Sequence, residues 1–240
     1  MNQPVYAKSK NHKKVERAQN GTARAALLGV SDGLVTNVSL ILGIAGAGAS
    51  AEIVRLAGFA SLIAGALSMA VGEYISMRGQ VELLENVLEA ERRQLHDNPA
   101  EAKTTLQEVM VGDGMSPITA QTASNEISRN PQKAMAVYAR GKLGINPDEL
   151  GSAWGSAASS LVMFSAGALV PLIPWFVATG ELAVVLALAA SMIAALGIGA
   201  YLGYVTNGRW FRAALRQLLV LILAAGATYL IGRLFHTNIT

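Results

Sequence analysis

The sequence predicts an all-α integral membrane protein, with five transmembrane helices and a helical cytoplasmic domain inserted between helices two and three. Three observations predict it. The 240 residues are 52% hydrophobic and only 15% charged, with a mean hydropathy of +0.39, too apolar and too poor in charge for an ordinary water-soluble enzyme. Five stretches reach the length of about 20 apolar residues that a bilayer crossing needs. The charge is also confined: 11 of the 16 acidic residues (Glu82, Glu85, Glu89, Glu91, Asp97, Glu101, Glu108, Asp113, Glu126, Asp148 and Glu149) lie between Gly79 and Leu150.

The elements follow in order. Residues 1–22 form a polar, basic arm suited to anchoring on acidic headgroups at the cytoplasmic face. Residues 23–78 hold the first two spans, about Ala23 to Ala47 and Ile53 to Arg78. The second has no stop signal at its end; ISMRGQVELLENVLEAERRQL contains few helix breakers apart from Gly79, so the helix should continue beyond the bilayer as a stalk. Residues 79–150 make the inserted domain. Within it Asn98-Pro99, Ser116-Pro117 and Asn130-Pro131 each place a capping side chain before a proline at the first helical position, and Gly112, Gly114 and Gly144 are suited to stops. Residues 151–240 supply three more spans, about Ser152 to Val177, Leu182 to Val205 and Ala213 to Phe235, with Pro171 and Pro174 kinking the first of these near its outer end. Trp154, Trp175, Tyr201, Tyr204 and Trp210 stand towards span ends, as interfacial aromatics do.

Charge asymmetry orients the chain. Lys8, Lys10, Lys13, Lys14, Arg17 and Arg24 precede the first span, and Arg209, Arg212 and Arg216 follow the fourth, whereas Arg55 alone marks the loops after spans one and three. The positive-inside rule therefore puts the N-terminus and the inserted domain in the cytoplasm and the C-terminus outside, in a plasma (inner) membrane. The pI near 9.3 is thus a topology signal and not one for nucleic acid. Cysteine is absent, which excludes disulfides and thiolate chemistry; His12, His96 and His236 are far apart, and no hydrolase triad, phosphate loop or zinc-finger spacing occurs. Nothing points to an enzyme or to a permanently bound cofactor.

The chemistry lies in two acids within apolar runs. In AALLGVSDGLVTNVSLILGIAGAG, Asp32, Thr36, Ser39 and Gly43 follow at spacings of four, three and four, and so share one helix face. An acid at mid-membrane costs roughly 2.5 to 3.5 kcal/mol even on lenient scales, so it faces a pathway or a partner. In the second span Met69, Glu73 and Ser76 or Met77 share a face in the same way. Carboxylate oxygen with thioether sulfur suits a first-row divalent ion, iron(II) or manganese(II), better than calcium or magnesium, though Met69 taken alone also reads as a packing residue. No lysine or arginine is expected at comparable depth to neutralise the two acids. Gly29 with Gly33 and Gly199 with Gly203 are small-xxx-small pairs that let helices approach closely, and a thin wall of five spans favours a homodimer with acidic faces meeting. On the stalk, Glu82, Glu85 and Glu89 read equally as a metal-collecting surface or as a solvated face with salt bridges such as Glu89 to Arg93.

Taken together, SDGLVTNVSLILGIAGA, then AGALSMAVGEYIS running into a charged helix, then an insert closing on LGINPDELGS, resemble the vacuolar iron transporter (VIT-type) family over nearly the whole chain. The resemblance implies a homodimer of five-span subunits moving iron(II) or manganese(II) out of the cytosol against protons, with Asp32, Met69 and Glu73 at translocation positions. It implies that residues 79–150 are a metal-binding-like domain in which Glu91 and Glu108 are kept, while Gln94, Thr105, Tyr138, Ala139 and Lys142 stand where glutamate or methionine ligands are expected. Ala25 stands where a further acid is expected. The pathway carries over and the cytoplasmic metal store does not. A rival reading is a membrane-anchored sensor or interaction protein, its acids merely joining helices.

Overall fold

The computed structural model describes residues 21–147, 149–206 and 208–239. The basic arm through Asn20, with His12 and the five cations Lys8 to Arg17, lies outside the described residues, as do Asp148 and the side chain of His236. Among the described residues every regular element is helical: α1 (Gly21–Gly46), α2 (Ala51–Asp97), α3 (Pro99–Gly112), α4 (Pro117–Ile127), α5 (Pro131–Tyr138) with a π-helical turn at Ala139–Leu143, α6 (Ala153–Leu172), α7 (Pro174–Val177), α8 (Gly180–Val205) and α9 (Trp210–Ile239). Five helical stretches are long and apolar enough to cross a membrane, α6 and α7 together forming the third.

The chain divides into two compact units, one up to Ile75 and from Ser152 onward, the other Ser76–Gly151. In the first, α1 is the central helix. Leu34, Val38 and Leu42 meet Ala195 of α8 and Leu221 and Ala225 of α9. A second group joins Ile41 to Val54 of α2, Leu172 of α6, Trp175 of α7 and Ala183 and Ala187 of α8. The close crossing of α1 and α6 needs glycine: a Cβ on Gly33 would lie 2.1 Å from the Phe164 carbonyl oxygen, and one on Gly167 2.2 Å from that of Val30. Gly29 meets Ser160 likewise, while Gly199 and Gly203 sit against Ala213 and Trp210 of α9, so both small-residue pairs mark close backbone approaches. The outer surface is apolar, with Leu56, Phe59, Ile63, Leu67, Val71 and Ile75 exposed along α2. Such a surface fits hydrocarbon, not water.

In the second unit the three proline-marked helices start where the sequence places them, at Pro99, Pro117 and Pro131. The Ser116 side chain accepts the Thr119 N–H, and that of Asn130 accepts those of Gln132 and Lys133, whereas Asn98 makes no side-chain cap bond. Gly79 does not interrupt α2, and α3 ends at Gly112. Gly114 and Gly144 adopt positive φ, +95° and +66°, which terminates the helices before them. Leu106, Met110, Ala120 and Tyr138 form the buried interior of this unit.

Candidate functional site

Asp32 stands eleven residues into the 26-residue α1, about 17 Å along the helix axis at about 1.5 Å per residue, and is exposed. Leu28, Asp32, Thr36 and Leu40, each four residues on from the last, form one exposed stripe while the residues between them pack into the bundle. Thr36 Oγ1 donates to Asp32 Oδ1 at 3.2 Å and orients the carboxylate. The expected face does not stay together further along. Ser39 is half-buried, its hydroxyl enclosed without a hydrogen-bond partner, and Gly43 is pressed against Thr228 and Gly232 of α9.

Glu73 lies elsewhere. It is nearly buried, its side chain 10% exposed, and Arg24 Nη2 from the start of α1 reaches its Oε1 at 3.5 Å. The expectation that no basic residue shares the depth of the acids is therefore wrong for Glu73. The antiparallel course of α1 and α2 brings the last cation before the first span level with the acid near the end of the second. Eight residues, about 12 Å along α1, separate Arg24 from Asp32. Met69, one turn before Glu73, packs against Phe164 and its neighbours Ala66 and Ala168. Ser76 is exposed, and Met77 is buried in the second unit with Gly151 against its sulfur.

One polar residue that sequence reasoning passed over is Asn37. It is fully buried, donates from Nδ2 to the Ala168 carbonyl at 2.6 Å, and leaves Oδ1 without a partner. An asparagine inside an apolar helix was the available signal, since a buried amide needs partners across a helix interface. Ser156 and Ser160 of α6 likewise have enclosed hydroxyls with no partner.

In the second unit, Arg78 pairs with Glu82 at 2.8 Å and Arg93 with Glu89 at 3.2 Å, both exposed pairs one helical turn apart. That is the geometry of a solvated face; Glu85 and Glu108 are exposed as well. Glu91 is different: Tyr138 donates its hydroxyl to Glu91 Oε2 at 2.6 Å, and Lys142 donates to the same hydroxyl oxygen. Burial and the Glu91 carboxylate push the Tyr138 phenol above its ordinary pKa, and the bond to Tyr138 raises that of Lys142. Among the described residues no three His, Asp or Glu side chains converge as a metal site.

Five membrane-length helices, one of them a glycine-packed central helix, with one acid nearly buried among them and another on an uncovered stripe, define a polytopic membrane protein. The chain belongs to the VIT family, whose model matches residues 23–233. It is 29% identical to vacuolar iron transporter 1 of Eucalyptus grandis over 91% of this chain and 88% of the relative, and 28% identical to vacuolar iron transporter 1 of Oryza sativa subsp. japonica over 90% and 86%. Vacuolar iron transporter homolog 5 of the same rice is 32% identical over 90% of this chain and 81% of its own length. The protein is thus a multi-pass membrane protein of a transporter family, not an enzyme.

Proposed function

We propose that the protein is a homodimeric exporter of divalent transition metal, iron(II) or manganese(II), which carries its cargo out of the cytosol in exchange for protons. The observation that carries this reading is the place of Asp32: a carboxylate at mid-helix, on the stripe of α1 that the chain's own helices leave uncovered. Facing lipid it would cost roughly 2.5 to 3.5 kcal/mol. A second copy meeting the first along Leu28, Asp32, Thr36 and Leu40 would cover the stripe and bring two carboxylates to one two-fold axis, a cation site that one chain lacks.

The relatives' names supply the cargo, and the ligand types agree with it. Asp32 and Glu73 offer hard oxygen, and Met69 offers sulfur one turn from Glu73. Charge asymmetry supplies the orientation: with the N-terminus in the cytoplasm, the Glu73 end of the path opens inward and Asp32 lies deeper. A proton gradient directed into the cytosol, across a plasma or a vacuolar membrane alike, would then drive export. A carboxylate binds metal only when deprotonated, so metal leaving Asp32 for the far side is replaced by a proton. Glu73 has a guanidinium beside it, and incoming metal must displace Arg24 to bind there. The metal is cargo throughout, and no resident cofactor is required.

The test is flux into proteoliposomes that hold the purified protein, comparing iron(II), manganese(II) and magnesium, with a pH-sensitive dye inside. Entry of iron or manganese with opposite proton movement is expected, and both should vanish in Asp32→Asn. Absence of flux for every metal would refute the transport reading.

A further inference from the structure

The second unit contains a cross-link between two distant parts of its chain. Glu91 lies on α2, and Tyr138 and Lys142 lie 47 and 51 residues later, at the end of α5 and in the π-helical turn after it. The Tyr138 ring is 2% exposed, its hydroxyl proton directed to Glu91 and its hydroxyl oxygen accepting from Lys142. Glu101 adds its negative field at the same place. Charge therefore runs from ammonium through a polarised phenol to carboxylate, each group using the other's lone pair or proton.

A divalent ion held between helices would perform the same two tasks, neutralising carboxylates and tying α2 to the helix that follows. Among the described residues the remaining acids do not gather for one: Glu82 and Glu89 are bound to arginines, Glu108 is exposed, and a lysine amid Glu91 and Glu101 repels a cation. We propose that Lys142 is a built-in substitute for a metal ion in the helical unit, so that this unit is held together without metal and neither stores nor senses it. The inference concerns Ser76–Gly151 alone and is independent of the transport reading.

The experiment uses the full chain in detergent carrying Asp32→Asn and Glu73→Gln, so that the membrane acids contribute no binding, and manganese(II) as the probe in equilibrium dialysis. No stoichiometric retention is expected. Adding Lys142→Glu, which sets a third carboxylate near Glu91 and Glu101, should create retention of one ion per chain that Glu91→Gln then removes. Stoichiometric manganese in the parent that is lost on Glu91→Gln would overturn the proposal. A second measurement covers the case in which Lys142→Glu fails to fold. Lys142→Met keeps the aliphatic stem but removes the charge, and should make proteolysis within residues 76–151 about tenfold faster, the loss expected for one charge-assisted hydrogen bond, with no recovery in excess manganese. An unchanged cleavage rate, or full protection by manganese, would overturn it equally.

Discussion

Arg24 Nη2 lies 3.5 Å from Glu73 Oε1, tying the first turn of the central helix to a nearly buried carboxylate on α2, while the arginine side chain remains 61% exposed. A tethered cation thus lies beside this acid. Because the arginine side of the pair is exposed, the pair contributes little to stability, about 1 kcal/mol or less. On the proposed path its consequence is competition with metal. Arg24→Gln should lower the metal concentration that half-saturates uptake into proteoliposomes by severalfold while changing the unfolding temperature little. A rise in that concentration would mean that the guanidinium assists entry.

Asp32 has Thr36 as its hydrogen-bond partner, at 3.2 Å, and forms no ion pair among the described residues. Thr36→Val removes that bond and leaves the carboxylate, so transport should fall by about fivefold, the worth of one hydrogen bond of about 1 kcal/mol, while Asp32→Asn abolishes it. Crosslinking of single cysteines placed at Leu28 and Leu40 between two copies should persist in both variants. Loss of crosslinking in Asp32→Asn would make the acid an assembly residue.

The glycines separate into two kinds. A methyl on Gly33 would meet the Phe164 carbonyl at 2.1 Å, whereas one on Gly72 meets nothing within 4 Å. Gly33→Ala should push α1 from α6 and destabilise the detergent-solubilised protein by about 1–3 kcal/mol or more. Gly72→Ala should be neutral, or stabilising by up to about 1 kcal/mol through helix propensity. Thermal unfolding followed by light scattering distinguishes them.

The Lys142 and Tyr138 pair also sets a pH dependence. Both groups hold their protons more tightly in the folded unit than at their ordinary values of 10.5 and 10.0. A raised folded value gives stability that is complete below the ordinary value and is lost as pH rises through the folded one. Resistance of residues 76–151 to proteolysis should therefore owe no pH dependence to this pair between about pH 6 and 9, and should decline above about 10.5. A decline near neutrality traced to Lys142→Met would contradict that assignment.

Much of the architecture was legible because it is written along the chain. Apolar runs of bilayer length mark the five spans, Pro99, Pro117 and Pro131 mark helix starts, with side-chain caps before the last two, and glycines four apart mark close crossings, since each is written locally along one helix. The same local logic identified Asp32 and Glu73 as acids in apolar surroundings. It failed where the deciding neighbour comes from elsewhere. Arg24 read as one more cation before the first span, and Lys142 as a charge beside a lost ligand set.

By itself, then, the sequence determined that this is a five-span helical membrane protein with an inserted helical unit and carboxylates within apolar runs. Only the tertiary structure decided which acid has a counter-charge, which lies on an uncovered stripe, and which is joined to an internal ammonium. Glu73 meets Arg24 across 49 residues and Glu91 meets Tyr138 across 47. Hydrophobic periodicity specifies which way a side chain points from its own helix, but its electrostatic partner depends on the offset at which two helices pack, and that offset is set by glycine contacts and core side chains shared among several elements.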